Sequence, residues 1–66
     1  MKKICIELPN WKAKEMIDVL YQSGGTDIRS RRLGRDTTII NSSVPRLEAL
    51  KIWCHNRLVK GTHVYM

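Results

Sequence analysis

The apolar period of the chain changes at Pro9-Asn10, from two residues to that of a helix, and no other feature constrains the fold as much. From Lys2 to Leu8 the residues alternate, with Ile4, Ile6 and Leu8 on one side and Lys3, Cys5 and Glu7 on the other. That pattern predicts a strand covered on one face. Pro9 ends the strand, and Asn10 is placed to cap a helix. From Trp11 to Ser23, Ala13, Met16, Ile17, Leu20 and Tyr21 keep helical spacing, opposed by Lys14, Glu15, Asp18 and Gln22. Gly24-Gly25 is the expected stop.

Two β-prone runs follow, Thr26–Leu33 and Thr37–Asn41, joined by Gly34-Arg35-Asp36 in the manner of a hairpin. The first run has few apolar residues, as an edge strand does; the second reads as interior. Ser43 is the expected cap of a second helix, with Pro45 in its first turn and Gly61 after its end near Lys60. A short strand over Thr62–Met66 closes the chain. On this helix Leu47, Leu50, Trp53, Cys54 and Leu58 gather on one arc and are expected to face the sheet. Ile52 and Val59 fall beside His55 on the far side.

The resulting order, β-α-β-β-α-β in a single domain 1–66, predicts an α+β ferredoxin-like sandwich. That architecture has a four-stranded antiparallel sheet with two helices on one face, and its first and third strands are interior. A chain of 66 residues without Phe has little to bury. Cores of this size leave about 3–5 kcal/mol of stability unless something else supports them, which makes a homodimer one expected source of further burial.

The charge is uneven. The chain carries +6, and residues 26–66 hold +5 of it. Four of the seven residues from Arg29 to Arg35 are arginines. Crowding them on one ribbon costs self-repulsion, which an anionic partner relieves. Each guanidinium also offers a planar fork suited to phosphate or carboxylate. A pI near 9.8 has the electrostatic character of a nucleic-acid binder. Arg29, Arg31, Arg32 and Arg35, helped by Lys51, Arg57 and Lys60, are therefore the candidate residues for binding nucleic acid or an acidic protein surface. Trp11, Ile52, His55 and Val59 are the candidate protein-interface residues.

Other chemistries find little support. Cys5, Cys54, His55 and His63 match no zinc-binding spacing, so no metal or cofactor is expected. Cys54 is expected in the core, and no base is placed against either thiol. Two cysteines without a CxxC pair indicate a reduced, cytoplasmic chain. No apolar window is long enough to span a membrane. The chain begins at Met without a truncated motif and is expected to stand alone as a small protein. Recognition of bases on the sheet would need stacking aromatics, and only Tyr65 offers one.

The leading expectation is a small, basic, non-enzymatic binding or regulatory protein. Its arginine hairpin would dock on nucleic acid or on a nucleic-acid-handling complex. The alternative is an inhibitor or adaptor that binds an acidic protein surface, such as a mobile-element protein acting against a host machine. A metal-free ribonuclease-type toxin, with His55 or His63 as base and an arginine as phosphate clamp, is third.

Overall fold

Ile4, Ile6 and Leu8 point the same way along β1 (Lys2–Pro9) and are buried together, so the alternation read from the sequence becomes the floor of the core. The computed structural model describes all residues, Met1–Met66. After β1 come α1 (Asn10–Gln22), β2 (Thr26–Leu33), β3 (Thr37–Val44), α2 (Arg46–Asn56) and β4 (His63–Tyr65). The strands form one antiparallel sheet in the order β2-β3-β1-β4, with β1 and β3 interior. Ile40 and Val44 of β3, Leu20 of α1, and Ala49 and Ile52 of α2 complete the buried cluster begun by β1. Both helices therefore cover the same face of this small α+β molecule, and the other face is open.

β3 runs three residues further than expected because its core-facing positions alternate Thr38, Ile40, Ser42, Val44. Burying the two hydroxyls requires partners. Thr38 Oγ1 donates to Asn10 Oδ1 at 2.6 Å, and Ser42 Oγ donates to the Thr26 carbonyl at 3.0 Å. Both caps anticipated from the sequence are displaced by prolines: Pro9 and Pro45 occupy the N-cap positions, and neither helix has a side-chain cap. Asn10 is instead the first residue of α1, its side chain committed to Thr38 and the hairpin, while Ser43 remains in β3. Tyr21 is exposed. It lies about 100° past Leu20 around the helix, at the margin of the apolar arc.

The end of α1 follows from backbone geometry. Gly24 takes φ +80°, with its N–H donating to the Tyr21 carbonyl, and the Gly25 N–H donates to the Leu20 carbonyl at 2.8 Å. This pair of bonds satisfies carbonyls that would otherwise be orphaned at the helix end. A Cβ on Gly25 would approach the Leu20 oxygen to 2.8 Å, so the position excludes other residues.

The orientation of α2 is opposite to the sequence expectation. Ile52 is 4 % exposed and Ala49 is fully buried, whereas Leu47 is 73 % exposed; Leu50, Trp53, Cys54 and Leu58 are also exposed. Ile52 is thus a core residue and not part of an interface, and Cys54 is not in the core. The helix presents its smaller apolar arc, Ala49 and Ile52, to the sheet, since helix spacing is set by the side chains at the contact. It also ends at Asn56, where Asn56 Nδ2 donates to the Ile52 carbonyl at 2.8 Å. Turns then carry the chain to β4.

Candidate nucleic-acid interface

The hairpin register decides where the arginines point: pairing is unbroken from Leu33↔Thr37 back to Arg29↔Asn41, and a one-residue bulge precedes it. Thr26 pairs with Ser43 and Arg29 with Asn41, so three steps along β2 oppose two along β3. Asp27 adopts φ +51° there, a left-handed conformation that its short polar side chain tolerates better than a branched one would. Ile28, the neighbour of Arg29 on the other side of the strand, faces inward and packs against the core. Arg29, Arg31 and Leu33 turn to the open face, opposite Asn41, Ile39 and Thr37. Arg32 pairs with Thr38 on the helix side, lining a shallow cleft with Asn10, Lys14 and Ile17. Arg35 sits in the connecting turn.

The turn is held from beneath. The Asn10 backbone N–H donates to the Asp36 carbonyl at 2.8 Å, and Asn10 Nδ2 donates to the Arg35 carbonyl at 2.8 Å. One residue at the β1–α1 junction therefore anchors the hairpin tip and satisfies the buried Thr38 hydroxyl. All four arginine side chains are exposed, and none has a protein hydrogen-bond or ion-pair partner. The one ion pair in the molecule, Lys51 Nζ to Glu48 Oε1 at 3.5 Å, lies on α2.

The remaining candidate cations do not join this cluster. Lys51 is engaged by Glu48, and the Arg57 guanidinium rests over the Trp53 ring at 5.9 Å. Their helix packs against β1 and β4, away from the β2 edge. Lys60 precedes Gly61, which borders the Pro9 ring, and so lies at the hairpin-tip end of the molecule. The interface candidates are also dispersed. Trp11 is 76 % exposed on α1 beneath Lys12, His55 is exposed on α2, and Val59 is half-buried in the turn after it.

The open face carries more than the hairpin. β4 pairs with β1 so that Tyr65 stands beside Cys5 and His63 beside Glu7. Combined with the β1–β3 and β2–β3 registers, this forms two rows across the sheet. One reads Arg29, Asn41, Cys5, Tyr65, and the other Arg31, Ile39, Glu7, His63. The His63 and Tyr65 rings lie 6.4 Å apart, tilted by 32°. The sequence marks the arginines, Cys5, Glu7, His63 and Tyr65 separately but does not place them in rows, because a three-residue strand carries no readable register.

His55 lies elsewhere, in a cleft of about 310 Å³ between the helices that Lys12, Glu15, Ile52 and Thr62 also line. The buried Thr62 hydroxyl has no partner there. No three of the His, Cys, Asp and Glu side chains come together as a metal-binding group. No helix is long and apolar enough to cross a membrane. No protein-family model matches the chain, and comparison with curated proteins and with solved structures gave no match.

Proposed function

We propose that the chain is a small binding protein that docks its arginine hairpin on nucleic acid, alone or within a nucleic-acid-handling complex. One observation carries the reading: four exposed guanidinium groups on β2 and its turn have no carboxylate partner within the fold. Structural arginines on a protein surface are commonly satisfied by acidic neighbours. These are exposed and splayed over both faces of an edge ribbon, an arrangement suited to an extended polyanion. The connections support a ferredoxin-like sandwich, since α1 and α2 each link strands separated by one intervening strand. Two free thiols in a chain this small support a reducing compartment such as the cytoplasm.

The test is the affinity for labelled RNA and DNA over a salt series. Binding should weaken steeply with salt, and Arg31→Ala with Arg32→Ala should reduce both affinity and slope. Each lost phosphate contact removes about 0.7–0.9 from the logarithmic slope. Absence of any retained complex at low salt contradicts the reading.

A second reading draws on α2. Leu47, Leu50 and Cys54 have the spacing of a coiled-coil seam and face solvent, with Arg46, Lys51 and Arg57 nearby. This face suits an apolar partner surface bearing carboxylates more than a second copy of itself, whose cations would be repelled. Sedimentation separates the two occupants: a concentration-dependent dimer abolished by Leu47→Glu would mean that the chain pairs with itself.

A further inference from the structure

We propose that the open face of the sheet is a platform for single-stranded nucleic acid, with bases stacked on Tyr65 and His63 and the phosphate backbone carried over Arg29 and Arg31. The proposal rests on the nucleic-acid reading above and adds the strand state of the ligand and its placement across the sheet.

The face is chemically graded from edge to edge. β2 contributes two arginines, β3 contributes Asn41 and Ile39, β1 contributes Cys5 and Glu7, and β4 contributes His63 and Tyr65. Within the two rows the cations occupy one edge and the aromatic rings the other; Lys3 of β1, opposite Ser43, adds a cation at one end of the face, and Arg57 lies beside the aromatic edge. Tyr65 is 54 % exposed and His63 is exposed, so both rings are accessible although each belongs to a paired strand. Three inter-strand steps of about 4.8 Å separate Arg29 from Tyr65, or about 14 Å, a span that a few nucleotides of extended strand cover.

Glu7 determines the orientation. It lies on the open face between Ile39 and His63, and its carboxylate repels phosphates. It accepts hydrogen bonds, however, and exocyclic amino groups of bases are donors. Asn41, next to Arg29, can both donate and accept. A strand crossing the sheet thus lays its phosphates over the β2 edge, presents base edges to Asn41 and Glu7 in the middle, and stacks its next bases on the β4 edge. A duplex cannot use this arrangement, because its bases are already stacked and their Watson–Crick edges paired. Single strands bound on aromatic platforms have both free.

The experiment measures fluorescence anisotropy of a labelled single-stranded oligonucleotide, RNA or DNA, against the full-length chain at fixed salt. The same strand with abasic sites and its duplex are measured in parallel. Single strands should bind more tightly than the duplex. Tyr65→Ala should weaken binding by about 5- to 150-fold, the range one stacked base contributes, and Tyr65→Phe should restore it. The abasic strand should show a similar loss that Tyr65→Ala does not deepen. Circular dichroism of each variant verifies folding.

The platform is overturned if the duplex binds as tightly as the single strand, or if Tyr65→Ala and the abasic strand both bind as the unmodified pair does. In either case, if Arg29→Ala with Arg31→Ala still reduces affinity, the hairpin reading survives without the platform. If none of the probes binds at low salt, both fall.

Discussion

Asn10 connects more of the molecule than any other single side chain. Its carboxamide accepts from the buried Thr38 hydroxyl and donates to the Arg35 carbonyl, and its backbone N–H donates to the Asp36 carbonyl. Asn10→Ala leaves the Thr38 hydroxyl buried without an acceptor and should cost about 1–3 kcal/mol in chemical denaturation. Asn10→Asp keeps an acceptor for Thr38 but loses the donor to the turn, so it should be milder in stability while still loosening the hairpin tip. Equal losses for the two variants would show that Thr38 does not depend on this acceptor. The sequence marked Asn10 as special but misassigned its role. Asparagine before a helical run suits a cap, and the Thr38 bond, 28 residues away, has no local signature. Ile52 is a second single-residue test. Ile52→Ala should cost about 2–5 kcal/mol as a core truncation, whereas Leu47→Ala should stay within about 0.5 kcal/mol.

At the level of elements, the register of the β2–β3 hairpin links fold to function. The turn sets the parity of the arginines, since pairing is unbroken from Leu33↔Thr37 to Arg29↔Asn41, and a one-residue slip would exchange the faces of the strand. Deleting Ser30 should turn Arg29 toward the helices and bring Ile28 to the open face while Arg31 stays opposite Ile39. Thermal stability and nucleic-acid affinity should then fall together. A stable variant with unchanged affinity would show that the arginines act independently of register. β1 and the limits of β2 were legible because alternation and turn residues are local signals. The facing of α2 was not. That helix has apolar residues on two arcs, Leu47-Leu50-Cys54 and Ala49-Ile52, and the larger arc dominates any reading by periodicity. Only the space available over β1 and β4 selects the smaller one, and that space is a property of the assembled sheet.

For the molecule as a whole, eleven of 66 residues are buried, the net charge is +6, and of six acidic side chains only Glu48 pairs with a cation. The positive charge destabilises the free protein by self-repulsion and favours association with a polyanion. The seven cations named from the sequence divide between the β2 hairpin, α2 and the turn after α2, so their shared charge was legible but their grouping was not. The graded open face was hidden for the same reason, since it depends on registers among four strands. Amide chemical-shift mapping of the full chain during titration with a single-stranded oligonucleotide decides whether nucleic acid meets the hairpin and the open face. Perturbations should concentrate between Arg29 and Asn41 and at His63–Tyr65, with Arg46–Asn56 little changed. Perturbations confined to α2, or none at all, would contradict that contact.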